Sequence, residues 1–201
     1  MTQIEQSDRL SDFKHHFEKF VQSYIEQSNK DNKGLITEFD PEWPSPCLQI
    51  DESLSAGASA GENIAWKPYK RTPPGDLHNL ESALEISIDT RLGLLFGQYF
   101  GLDLHAEHER GPVLLLQAYS ETDYERLQKN LIAHVLMKRR LKQADTLFFA
   151  LTDEDDWIIS LDVQSCAVVL EQVGKAPKEK IADSLTDFIA ALTPVPQFVS
   201  L

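Results

Sequence analysis

The side chains best suited to metal binding or acid–base chemistry lie in residues 103–109, DLHAEHE, which contain two histidines and three carboxylates. A zinc-binding pair on a helix needs two histidines four residues apart, and His105 and His108 are three apart. The alternation of polar and apolar residues predicts a strand, on which successive side chains point to opposite faces. The two histidines then diverge, so the spacing argues against a metal site within this segment.

The predicted strand has one acidic face and one apolar face. Asp103, Glu107 and Glu109 lie on the first face together with His105. Two interpretations remain for this face. It is either a solvated sheet edge, where charge guards against aggregation, or a docking surface for a cationic partner.

A second acidic run, DEDD at 153–156, lies between two predicted strands. A polar turn explains it best, because an EF-hand loop would also need alternating oxygen ligands, a glycine and a distal glutamate. Asp153 could also join an acidic surface. The remaining alternative is an enzyme or metal protein that uses Asp153, Glu154, His105 and Glu107. No phosphate loop or nucleophile elbow supports it, so we expect a protein without catalytic activity, metal or cofactor.

The most informative property of the composition is the excess of acidic over basic residues. The chain has 201 residues, with 19 basic and 32 acidic side chains, and therefore a net charge of −13. Such a chain repels nucleic acid and anionic lipid and favours basic partners if its charge is gathered on one face. The N-terminus lacks the apolar core of a secretory signal, and Cys47 and Cys166 are not in a C-x-x-C motif. We therefore expect a cytoplasmic protein.

The negative charge is concentrated in the middle of the chain. Residues 76–123 hold nine acidic and two basic side chains, so more than half of the net charge falls in less than a quarter of the sequence. Clustered carboxylates focus the electric field and steer a cationic partner. The sequence thus favours a docking surface, provided that the fold brings these residues together.

The hydrophobic pattern predicts a single α+β domain over residues 1–201, with a mixed or largely antiparallel sheet flanked by helices in three layers. Helices are expected at 8–29, 78–86, 89–100, 121–142 and 178–192, and strands at 64–69, 102–109, 112–119, 146–152, 157–163 and 167–173, with a short strand in CLQI at 47–50. Residues 53–63 read as a flexible insertion and 193–201 as a short tail.

Two features of the predicted helix 121–142 have plain structural explanations. Its basic end, MKRRLK at 137–142, follows an acidic start, which is the arrangement that the helix dipole favours. His134 lies on the apolar stripe of this helix and is expected to be a packed core residue. The basic run therefore does not indicate a nucleic-acid partner.

Four motifs resemble the Syd family of SecY-interacting proteins. They are PSPC at 44–47, AWKP at 65–68, DLHA at 103–106 and, most specifically, residues 115–150, LLQAYSETDYERLQKNLIAHVLMKRRLKQADTLFFA. The resemblance runs from about residue 10 to 192. It implies an SMI1/KNR4-like fold of the SUKH superfamily and a binding function without catalysis.

The resemblance also implies a partner and a location. Syd proteins bind cytoplasmic regions of the translocon channel SecY, are associated with a check on its assembly, and reach the cytoplasmic side of the inner membrane peripherally through it. The alternative that the superfamily offers is an immunity protein that neutralises a basic toxin. We expect a monomer that contacts the membrane only through SecY.

The resemblance and the charge clustering together give seven candidate partner-binding residues. Asp103 falls in the family's D-x-H-A stretch, and Glu121 and Asp123 fall in its S-E-x-D stretch. Glu81 matches an acidic family position. The other three, Glu85, Glu107 and Asp153, follow from charge clustering alone.

Overall fold

A seven-stranded antiparallel sheet forms the centre of the computed structural model, which describes residues 3–30, 34–50 and 59–196. The helices are α1 (Gln3–Asn29), α2 (His78–Leu84), α3 (Thr90–Gly97), α4 (Glu121–Arg140) and α5 (Leu185–Ala191). The strands are β1 (Ile36–Glu38), β2 (Asn63–Ala65), β3 (Tyr69–Lys70), β4 (Tyr99–Phe100), β5 (Leu104–His108), β6 (Gly111–Leu115), β7 (Thr146–Thr152), β8 (Trp157–Asp162), β9 (Val168–Gln172), β10 (Glu179–Ala182) and β11 (Thr193–Pro194). The order in the large sheet is β10-β9-β8-β7-β6-β5-β11, while β1 pairs with β2 and β3 with β4.

Helices cover both faces of the large sheet. Phe148 of β7 packs edge-on against His134 of α4, with ring centroids 5.3 Å apart. The next residue, Phe149, meets Phe188 of α5 at 5.6 Å. Because neighbouring side chains of a strand point to opposite faces, α4 lies on one face and α5 on the other. Helix α1 packs against α3 and α5 on the second face, which confirms the predicted three-layer α+β fold.

The long N-terminal helix forms because its apolar residues recur every three or four positions. This spacing places Phe13, Phe17, Phe20, Val21 and Tyr24 on one buried stripe. Phe17 also packs edge-on against Tyr99 of β4, with centroids 5.8 Å apart. The stripe covers the α3–α5 side of the sheet and encloses most of the apolar core.

The prediction of one helix over 178–192 is wrong. Residues 179–182 form edge strand β10, and α5 begins only after Ser184, whose hydroxyl accepts the N–H of Asp187 as an N-cap. Ile181 therefore lies on a strand, although its spacing from Leu185 and Phe188 fits a helix. The misreading arose because a strand and a helix in direct succession continued one apolar pattern.

Several shorter predictions also need correction. Residues 64–69 form the end of β2 and the start of β3 instead of one strand, and CLQI contributes only an isolated bridge between Leu48 and Trp66. The predicted strand 112–119 ends at Leu115, and the predicted helix 89–100 ends at Gly97, before β4. Of the predicted insertion 53–63, residues 53–58 lie outside the described part. The predicted tail begins as strand β11, which pairs with β5, and residues 197–201 are also outside the described part.

Helix α4 carries an unexpected buried charge. Lys138, which belongs to the basic run MKRRLK, is fully buried, and its ammonium donates to Glu171 Oε2 at 2.5 Å. Thr146 and Ser160 both donate to Glu171 Oε1 at 2.7 Å. His134 packs in the core as predicted and lies 3.0 Å from Thr146 Oγ1. This network joins α4 to strands β7, β8 and β9.

Among the described helices, none is long and apolar enough to cross a bilayer.

Candidate acidic docking site

The β5–β6 hairpin presents the two faces that the sequence predicted. Leu104, Ala106 and His108 are buried, whereas Glu107 is exposed. His105 and His108 therefore point in opposite directions and cannot share one ion. Within the described ranges, no group of three histidine, cysteine or acidic side chains is arranged to hold a metal.

Two predicted site residues, Asp103 and Asp123, come together at the end of this hairpin. The N–H of Gln117 donates to Asp103 Oδ1 at 2.7 Å, and the N–H of Tyr119 donates to Asp123 Oδ2 at 2.9 Å. The two donors are only two residues apart along the chain, which spans about 7 Å in extended backbone. The segment 117–119 thus holds both carboxylates side by side. We call Asp103, Asp123 and Glu121 the α4 acidic site.

The start of α4 fixes Asp123 and Glu121. Ser120 is the N-cap, since its hydroxyl accepts the N–H of Asp123 at 3.3 Å. The carboxylate of Asp123 accepts the N–H of Tyr119, the residue before the N-cap. Ser120 thus satisfies one free N–H of the first turn, and Asp123 ties that turn to the preceding backbone. The positive end of the helix dipole also favours the two carboxylates of the first turn.

Asp103 has an unusual electrostatic environment. Burial raises its pKa to about 6, the hydrogen bond from Gln117 opposes that rise, and the negative charge of Asp123 adds to it. No Lys or Arg of the described chain forms an ion pair with Asp103. A cation brought by a partner would therefore gain a direct and uncompensated interaction with this carboxylate.

The other two carboxylates of the site already have cationic neighbours. Arg71 donates to Glu121 at 2.7 Å, and its guanidinium lies 4.2 Å from the ring centre of Phe100 and 4.8 Å from that of Tyr124. Arg126 donates to Asp123 at 2.5 Å. Glu121 remains 64% exposed and can accept a further donor. The sequence reasoning missed both arginines, although Arg71 precedes the TPPG turn and Arg126 follows Asp123 by one helical turn.

Glu81 and Glu85 lie elsewhere. Glu81 Oε1 accepts the N–H of Ile88 at 2.8 Å and so fixes the loop after α2. Glu85 follows α2, and its negative charge favours the charged form of the nearby Arg139. The guanidinium of Arg139 also donates to the carbonyl of Leu84 at 3.0 Å. Arg139 is eighteen residues along α4 from Glu121, about 27 Å at 1.5 Å per residue. These two glutamates therefore form a second acidic group at the far end of α4.

Glu107 and Asp153 form a third group at the tip of the β5–β6 hairpin. Both line one surface cavity of about 420 Å³. Glu107 is four residues along the strand direction from Asp103, which corresponds to about 13 Å. The structure thus brings Asp103 and Asp123 together, leaves Glu121 on the same first turn of α4 beside Arg71, and places the other four candidates in two separate groups.

Comparison with known proteins identifies the family of this chain. The family model described as "Syd protein (SUKH-2)" matches residues 14–194. A "Protein Syd" of Pseudoalteromonas atlantica is 41% identical over 185 residues, which cover 92% of this chain and 94% of that protein. A "Protein Syd" of Alteromonas mediterranea is 43% identical over 178 residues, covering 89% and 94% of the two chains. The chain belongs to the Syd family.

Proposed function

We propose that this chain is a non-enzymatic binding protein that docks its α4 acidic site onto basic cytoplasmic loops of SecY and so monitors assembly of the channel. The observation that carries the proposal is the pairing of Asp103 and Asp123 across residues 117–119. Asp103 is a partly buried carboxylate without a cationic partner in the described chain. Docking at SecY places the protein peripherally on the cytoplasmic side of the inner membrane.

Cytoplasmic loops of membrane proteins are rich in Lys and Arg, which makes them the natural counterpart of this site. One exposed ion pair contributes only about 0–1 kcal/mol. A partly desolvated group of carboxylates contributes more, and it also fixes the register of the partner and raises the association rate. The exposed carboxylate of Glu121 and the partly exposed residues Asp103 and Asp123 are the contacts that we assign to the partner's cations.

The proposal is tested by removing the charge of the site without removing its hydrogen-bond acceptors. The triple variant Asp103→Asn, Glu121→Gln, Asp123→Asn keeps oxygens for the N–H groups of Gln117 and Tyr119. We expect it to lose at least tenfold in affinity for detergent-solubilised SecY complex in a co-purification and titration experiment. Reversal to Lys is less informative at Asp123, because it would also break the helix start.

A matched control removes the same amount of charge elsewhere. The triple variant Asp8→Asn, Glu26→Gln, Glu38→Gln changes three exposed carboxylates on α1 and β1. It should bind SecY within about twofold of the unmodified protein, since short-range contacts dominate at physiological salt. Equal affinity of the site variant and the control variant would refute the assignment of the site.

The second candidate is an immunity protein, and the SUKH-2 designation of the matching family model favours keeping it. The same acidic site would then capture a basic toxin. A toxin gene adjacent to the gene for this chain, with neutralisation of its product by the purified protein, would support that function. Retention of SecY binding by the purified protein together with failure to neutralise any neighbouring gene product would exclude it.

A further inference from the structure

A second cavity lies at the tip of the β5–β6 hairpin, away from the α4 acidic site. Its volume is about 110 Å³, and most of its wall is apolar. The apolar side chains that line it are Pro112, Val113, Trp157, Ile159, Leu170 and Ile181. An apolar cavity of about 150 Å³ takes up benzene, so this one has room for a single aliphatic side chain.

The cavity exists because α5 does not extend over the end of the sheet beyond His108. Phe188 of α5 packs on His108, with ring centroids 5.2 Å apart, and on Phe149 at 5.6 Å. Beyond His108 the cavity wall is made by strands and their turns, and within the described ranges no helical residue lines it. Ile181 of edge strand β10 and Lys178, which directly precedes this strand, provide one side. The cavity therefore opens at the surface instead of being filled by the core.

The rim carries a net charge of −1, because the three carboxylates Asp153, Glu154 and Glu179 outnumber the two cations Arg110 and Lys178. Arg110 is held by Glu179 at 2.9 Å, and the ammonium of Lys178 lies 4.7 Å from the ring centre of Trp157. Asp153 and Glu154, on the opposite side, have no ion-pair partner in the described chain. A partner with positive charge next to its apolar residue therefore complements this rim.

The acidic rim continues into the neighbouring cavity. The neighbouring cavity has a volume of about 420 Å³. It shares Pro112, Val113, Thr152 and Asp153 with the apolar cavity. Glu107 lines its other side. Asp153 thus stands between the two cavities, with Glu154 on one side of it and Glu107 on the other.

We propose that the apolar cavity receives one aliphatic side chain of a basic partner segment, while Lys or Arg residues within two positions of it meet Asp153, Glu154 and Glu107. In an extended segment, side chains two residues apart are about 7 Å apart and lie on one face, which suits an anchor flanked by two cations. The proposal rests on the proposed function in that the segment belongs to the same basic partner. It adds an apolar anchor as a requirement for recognition.

The test uses three synthetic peptides and the full-length chain. The peptide GSKSLSKSG carries leucine between two lysines, a second peptide carries alanine in its place, and a third carries glutamate in place of both lysines. Affinities are measured by NMR titration, and the shift of the Trp157 indole N–H reports on the cavity. We expect the leucine peptide to bind about tenfold more tightly than the alanine peptide, because an extra buried aliphatic group is stabilising. It should also bind more tightly than the glutamate peptide.

A filled cavity should remove the preference for leucine. Leu170→Trp places bulk in the cavity, and Val173→Trp, at an exposed position just after β9, makes the same substitution outside it. We expect the first variant to bind the leucine and alanine peptides equally and the second to keep the difference.

The peptide comparison on the unmodified protein decides the inference even if Leu170→Trp fails to fold. Equal affinities for leucine and alanine, or tighter binding of the glutamate peptide, would overturn the anchor cavity and leave SecY docking through Asp103 intact. Absence of binding by all three peptides would overturn it as well. Loss of SecY binding by the α4 site variant is scored separately, so failure of the anchor and failure of the proposed function are distinguishable.

Discussion

At the scale of single residues, Asp103 combines a cost in stability with the binding role that we propose for it. Its carboxylate is partly desolvated beside Asp123, and its pKa is raised from the ordinary value of 3.8 to about 6. At neutral pH it is charged in an environment that favours the neutral form. Such an arrangement is expected where a side chain is retained for a partner instead of for folding.

We expect Asp103→Asn to stabilise the folded protein at neutral pH. The amide keeps an oxygen for the N–H of Gln117 and removes the charge that burial disfavours. Since one pKa unit corresponds to about 1.4 kcal/mol, the gain should be roughly 1–3 kcal/mol at pH 7.5. The folded-state pKa lies above the unfolded one. The wild type therefore loses stability as pH rises from about 4 through about 6, and the advantage of the variant should vanish below about pH 4.

Urea unfolding at a series of pH values measures this effect, with Asp8→Asn as a control at an exposed position. The control should show no such pH-dependent gain. A variant at Asp103 that is less stable than the wild type at pH 7.5 would show that the charged carboxylate stabilises the fold. The same variant should bind SecY more weakly, so stability and affinity move in opposite directions.

At the scale of elements, α4 carries Glu121 and Asp123 at its start, and near its end Lys138, which forms a buried pair with Glu171 of β9. Its periodic pattern, the Ser120 cap and the packed His134 could be read from the sequence, because local spacing determines them. The burial of Lys138 could not, since its partner lies on β9 and the run MKRRLK contains three further cations that stay at the surface. Likewise, the alternation in residues 103–109 revealed the faces of β5. The split of the seven candidates into three groups depends on tertiary contacts that no local pattern encodes.

Removal of one member of the buried pair should be strongly destabilising. Lys138→Met leaves the charge of Glu171 without its ammonium, and breaking such a pair costs about 3–5 kcal/mol. The double variant Lys138→Met, Glu171→Gln should recover much of this loss, because no buried charge remains and the amide oxygen still accepts from Thr146 or Ser160. Equal stabilities of the single and double variants in chemical unfolding would show that the charge of Glu171 is tolerated without Lys138.

Acid dependence provides an independent check of the same pair. Burial works against the charged form of Glu171, yet its hydrogen bonds from His134, Lys138, Ser160 and Thr146 outweigh it and lower its pKa to about 2. Because the pKa of Glu171 is lower in the folded state, its charge stabilises the fold at pH values above the ordinary pKa of 4.5. This stabilisation is lost as the pH falls towards 2. The double variant should lack this component of acid sensitivity.

At the scale of the whole molecule, the net charge of −13 and the three acidic groups act over different distances. The net charge attracts a basic partner from afar and raises the association rate. The contacts that we propose at Asp103, Asp123 and Glu121 would act only after the partner has arrived and would set the dissociation rate. Salt separates the two effects, because the Debye length falls from about 10 Å at 0.1 M to about 3 Å at 1 M.

We therefore expect the association rate with SecY to fall steeply with added NaCl, by about tenfold or more between 0.05 and 0.5 M, while the dissociation rate changes less. Surface plasmon resonance on immobilised SecY complex measures both rates. The control variant neutralised at Asp8, Glu26 and Glu38 should associate somewhat more slowly than wild type at low salt and dissociate at the same rate. The site variant should mainly dissociate faster. Rates that are independent of salt would mean that the carboxylates do not drive the encounter, and apolar contacts such as the hairpin-tip cavity would have to supply the affinity.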